Sequence, residues 1–108
     1  MVTARMYLDT DGFYHKFDVS GHADGYRDDS EYDLVCAAIS SITLTIASGL
    51  QDVLHKEGSF HSESGFLNVS LVSYRDNETQ ALMKTLQHGL EIIQTMYPDK
   101  LKLESKEG

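Results

Sequence analysis

The sequence predicts a two-layer α+β domain: a mixed or antiparallel sheet of four to five strands with two helices packed on one face. Three observations carry this. Short runs alternate apolar with polar residues, the period of half-buried strands. Longer runs place apolar residues three and four apart, the stripe of a core-facing helix. Turn residues separate the runs in the order β-β-α-β-β-α, with a possible final strand. A sheet covered on one side would bury both helical stripes. At 108 residues the chain is one domain over 1–108, with no internal repeat and no linker.

Val2, Ala4, Met6 and Leu8 alternate with Thr3, Arg5 and Tyr7 to give the first strand. Asp9-Thr10-Asp11-Gly12 is the turn, Gly12 supplying the positive φ that closes a hairpin. The second strand runs from Phe13 to Gly21, with Phe17 and Val19 inward. Asp24, Gly25, Tyr26, Arg27, Asp28, Asp29, Ser30, Glu31 and Tyr32 show no apolar period and read as an exposed, mobile loop. Val35, Ile39, Ile42, Ile46 and Val53 then form the first helix, with Asp33 as N-cap and Gly58 as the stop after His55 and Lys56. Phe60-His61-Ser62 and Phe66 to Val72 flank a Glu63-Ser64-Gly65 turn, with Leu67, Val69 and Leu71 on one face. Asn77 with Gln80 resembles a capping box, opening a helix through Leu82, Leu86, Leu90 and Ile93 that Pro98 ends. Leu101 and Leu103, set among lysines, suit a last short strand.

Hydrophobic residues at 41% and charged residues at 24% are an ordinary globular composition. No apolar run is read as approaching the roughly 18 residues of a membrane span, and no signal-peptide pattern opens the chain, so the expectation is a cytoplasmic protein. A single cysteine excludes an internal disulfide and a multi-cysteine metal site. Nine Lys and Arg against seventeen Asp and Glu give a net charge of -8. The only basic cluster is Lys100-Leu101-Lys102, so direct nucleic-acid binding is not expected. An acidic surface suits a basic partner; it is also the commonest way to stay soluble.

The chemistry gathers around Cys36. With Asp33 as N-cap, the thiol falls in the first helical turn, where unpaired amides and the helix dipole favour a thiolate and an oxyanion. The alternative is a small buried hydrophobe, as cysteines outside disulfides usually are. His22 tips the balance. It sits in Gly21-His22-Ala23 at the end of the second strand, where an imidazole can take the thiol proton and return it to a leaving amine. Gly21 keeps the approach open. Asp33 either caps the helix or orients the imidazole, and Ser40, one turn below Cys36, either bonds a helix carbonyl or lines the pocket. His15, His55, His61 and His88 form no metal-spaced pair, and Gly49 and Gly89 are isolated, so no metal or cofactor site is expected.

Gly21-His22-Ala23, an acidic loop, then Asp33-Leu34-Val35-Cys36-Ala37-Ala38-Ile39-Ser40 resembles the signature of the ribosomal-processing cysteine protease family. Length and element order extend the resemblance over nearly the whole chain. It implies a cytosolic, metal-independent, homodimeric peptidase that removes the N-terminal extension of a basic large-subunit ribosomal protein before ribosome assembly. His22 and Cys36 would be its dyad, and the loop Asp24 to Tyr32 would close over the substrate peptide. One departure stands out: members commonly carry a glycine two or three residues before the signature aspartate, and Ser30-Glu31-Tyr32 occupies that stretch here. Two other readings fit the same residues, a catalytically idle module binding a ribosomal protein or assembly factor, and another thiol-dependent hydrolase.

Overall fold

The computed structural model describes residues 1–21 and 30–108, with the backbone alone at 30–33. Among the described residues there are five strands: β1 (Val2–Leu8), β2 (Tyr14–Ser20), β3 (Gly58–Glu63), β4 (Phe66–Leu71) and β5 (Leu101–Glu107). They form one mixed sheet in the order β3-β4-β2-β1-β5. The strand β1 pairs antiparallel with β2 and parallel with β5, while β4 pairs antiparallel with β2 and β3. With the helices α1 (Ser30–Ser48) and α2 (Asn77–Met96), this is the predicted α+β order, final strand included.

Register explains the core. Ala4 lies opposite Val19 and Met6 opposite Phe17, and those two in turn face Leu67 and Val69. Cross-strand partners share a face, so these side chains make one apolar surface. It packs with Val35, Ile39, Ile46 and Leu50 from the first helical segment and Met83, Leu86 and Leu90 from α2. The alternate residues make a polar face. There Arg5 donates to Asp18 (3.2 Å), Tyr7 donates to Asp18 (2.8 Å), and Lys16 stands 4.8 Å from the Tyr7 ring centre.

The first helix departs from expectation at both ends. It is already running at Ser30, so Asp33 is not its N-cap, and Ser30, Glu31 and Tyr32 belong to helix rather than loop. Beyond Ser48 the chain widens into a π-helical turn, Gly49–Val53, where the Leu54 amide donates to the Gly49 carbonyl (3.0 Å). This wider turn changes the phase of the stripe. Leu50 is buried, and Val53, predicted inward, is 72% exposed. His55, at φ 53°, and the Lys56 amide, which donates to the Leu50 carbonyl (2.9 Å), end the helix; Gly58 instead opens β3. The stretch Leu34–Val53 is long and apolar enough to cross a membrane by length and composition, contrary to the sequence expectation. In the fold its inner stripe belongs to the core.

At the start of α2 the cap is Asp76 rather than Asn77. Its carboxylate accepts from the Thr79 amide (3.0 Å) and from Lys56 (2.7 Å). The Lys56 bond, reinforced by Thr79, holds this carboxyl well below the usual range. Gln80 does not cap but clamps. Its Oε1 accepts from the Tyr14 amide (3.0 Å), and its Nε2 donates to the carbonyls of Tyr14 (2.8 Å) and Tyr74 (2.7 Å). One buried side chain thus ties α2 to β2 and to the β4–α2 connection.

A second tie lies in the β1–β2 turn. Asp9 accepts from the amides of Asp11 and Phe13 on Oδ1 and from Tyr74 and Arg75 on Oδ2. Burial alone would raise its pKa, but these donors outweigh it and pull the group down to about 2.

Replacing Gln80 with Ala strands three backbone groups, so the expected loss is about 1–3 kcal/mol, read from the urea midpoint of the purified protein. Asp9 carries the opposite lesson about acid. Its folded-state pKa lies below the unfolded value, so its contribution is whole above about pH 4 and is lost as pH falls toward 2. Between those limits the melting temperature should fall more steeply in the parent protein than in Asp9→Asn; equal slopes would refute the assignment.

Candidate active site

Cys36 is half-buried and packs against the core from the flank of α1. Val35, Ile39 and Ile46 define the inward stripe of that helix, and Cys36, Ser40, Thr43 and Ala47 form the neighbouring one. Thr43 donates its hydroxyl to the Ile39 carbonyl (2.8 Å) and the Ser40 carbonyl (3.3 Å), so it is satisfied within the helix. Ser40 opens onto a cleft that it shares with Thr43, Leu44 and the β3–β4 hairpin.

Gly21 ends β2 at φ 92°, and its amide donates to the carbonyl of Gly65 in the β3–β4 turn (3.1 Å). A Cβ there would lie 2.7 Å from the Met1 carbonyl oxygen, so both conformation and space call for glycine. The end of β2 is thereby pinned between the chain start and the hairpin tip. His22 follows directly. It lies outside the described residues, with Ala23, Asp24, Gly25, Tyr26, Arg27, Asp28 and Asp29, and so does the side chain of Asp33.

The longer helix corrects one chemical expectation. With Ser30 already helical, Cys36 is at least its seventh residue, about 9 Å along the axis. The α-helical pattern bonds its amide to the carbonyl four residues earlier, and the dipole's effect falls off within the first turn. First-turn amides therefore do not supply an oxyanion site beside this thiol, and the helix start does not activate it.

Among the described residues no three His, Cys, Asp or Glu side chains gather to hold one metal ion. The wall facing the Ser40 stripe escaped the sequence reading. Ser62, Phe66 and Leu67 appear there as ordinary strand residues, and only β3–β4 pairing and helix docking bring them beside α1.

Comparison with known proteins follows the fold closely. A structure of an essential ribosomal processing protease Prp from S. aureus in complex with a substrate peptide is 19% identical, with a TM-score of 0.87 over 97% of this chain and 99% of that one. The S. aureus protease with a covalently linked product peptide is 20% identical, TM-score 0.84, over the same shares. SMU.848 from Streptococcus mutans is 18% identical, TM-score 0.87, over 100% of this chain and 96% of its own. No curated protein sequence gives a significant match. At these identities the structures show a shared fold. The family assignment rests on a sequence model for cysteine protease Prp that matches residues 1–102 and so encloses Gly21, His22 and Cys36. The chain belongs to the cysteine protease Prp family and is a cysteine protease.

Proposed function

We propose that this protease removes the N-terminal extension of a basic large-subunit ribosomal protein before ribosome assembly, using Cys36 as nucleophile and His22 as base and then acid. The observation that carries the reading is positional. Cys36 lies half-buried on the flank of α1, and β2 ends at a pinned Gly21 with His22 as its next residue. The neighbour of like fold, described as a ribosomal processing protease bound to a substrate peptide, supports the same reading.

The Cys36 thiol proton passes to the His22 imidazole, and the sulfur attacks the peptide carbonyl. Collapse of the tetrahedral adduct breaks the C–N bond, and the imidazolium gives its proton to the departing amine. Water then hydrolyses the thioester and restores the thiol. Asp33 and Ser40 serve as positioning residues for this pair, and the segment Asp24 to Asp29, ahead of α1, covers the peptide. The enzyme works in the cytoplasm as a homodimer, without cofactor or metal and without direct contact to nucleic acid or membrane. A net charge of -8 draws in the basic substrate.

Mass spectrometry of the host's full-length ribosomal protein after incubation is expected to show one defined cut near its N-terminus, absent with Cys36→Ala. Intact substrate that still co-elutes with the protein would instead favour a binding module. Because the helix start is remote, thiol activation rests on His22. Iodoacetamide should therefore modify Cys36 well below pH 8.5 in the parent, and His22→Ala should return the profile to that of an ordinary thiol near pH ~8.5. Steering predicts that kcat/KM for the basic substrate falls as salt rises, while that for a neutral peptide holds steady.

A further inference from the structure

Two clefts between α1 and the β3–β4 hairpin share Leu44, Ser62 and Leu67 and so adjoin along one groove line. The end nearer Cys36 is a slot of about 100 Å³. Its floor is Leu67 and Thr43, both nearly fully buried, and its walls include Ser40, Leu44 and Phe66. Ser40 is one helical turn from Cys36, so slot and nucleophile are neighbours, with Cβ atoms about 5–6 Å apart across that turn. The volume is smaller than the roughly 150 Å³ that accepts a benzene ring, which suits an aliphatic side chain.

The groove runs beside a sheet edge, and the two edges differ. The outer strand β5 carries Lys102 and Lys106, the kind of charge that discourages pairing with another chain. The opposite edge, β3, reads Gly-Ser-Phe-His-Ser-Glu, with neither lysine nor proline. An extended peptide laid along β3 can pair with its backbone and turn every second side chain toward α1. Glu63 at one end of the groove and Asp52 at the other complement a basic chain.

We infer that the substrate segment binds as an added strand along β3, with one aliphatic side chain, within two residues of the scissile bond, seated in the slot between Ser40 and Phe66. This rests on the protease reading above, and it names Ser62, Phe66 and Leu67 as specificity-determining residues. Lysines or arginines flanking the seated residue would meet Glu63 and Asp52.

The test uses Cys36→Ala, which binds without turnover, and a fluorescent peptide covering the N-terminal extension of the ribosomal substrate, with the seated residue located by single Gly replacements. Ser62→Leu, added at the exposed rim, narrows the slot. It should weaken binding of the parent peptide by about tenfold. Replacing the seated residue of the peptide with Gly should abolish that difference, so that the open and the narrowed slot bind the Gly peptide equally. In parallel, N-methylation along the peptide should weaken binding at alternate positions only. A loss that ignores side-chain size, or one without alternation, overturns the inference while cleavage by the parent protein leaves the protease reading intact. Absence of cleavage with normal, size-selective binding does the reverse.

Discussion

The site depends on how α1 lies against the sheet. Val35, Ile39, Ile46 and Leu50 are drawn into the core, and burying them fixes the rotation of the helix about its own axis. Once that rotation is set, the next stripe round has no choice of neighbour. Cys36, Ser40 and Thr43 are carried to the side where the β3–β4 hairpin stands. A helix turned by one residue, about 100°, would move the thiol off that flank altogether.

Activation of the thiol is a separate matter from its placement. A cysteine in the first turn borrows acidity from unpaired amides, but α1 begins too early for that here. The stretch Ser30-Glu31-Tyr32, where members of the family commonly have a glycine, is consistent with this early start, since such residues tolerate helix better than glycine does. In the proposed mechanism the acidity therefore has to come from the imidazole that follows Gly21 in sequence. On that proposal, the anchoring of Gly21 by Gly65 and its closeness to Met1 serve function as well as folding.

The far end of the molecule serves rigidity. Gln80 acts toward Tyr14 as a strand partner would, taking one backbone bond and giving another, while Asp9 gathers donors from the turn and from Tyr74 and Arg75. Both ties join β2 or its turn to the β4–α2 connection. They hold the sheet's central strands in register at the end opposite Gly21, so the hairpin tip to which Gly21 bonds is built on a fixed frame.

The strands, both helices and the β1–β2 turn could all be read from residue order. Each rests on local physics: a period of two, a period of three to four, or a turn residue with a required φ. Family resemblance was legible for the same reason, because its motif is contiguous. Local signals misplaced the caps. Asp33 and Asn77 are good capping residues, yet Ser30 was already helical and Asp76 stood one position nearer with Lys56 beside it. Equally hidden were the π-helical turn that buries Leu50 in place of Val53, the clamp formed by Gln80, and the slot between Ser40 and Phe66. These depend on which elements meet across the sheet, and contacts between residues far apart in sequence leave no periodic trace in the chain.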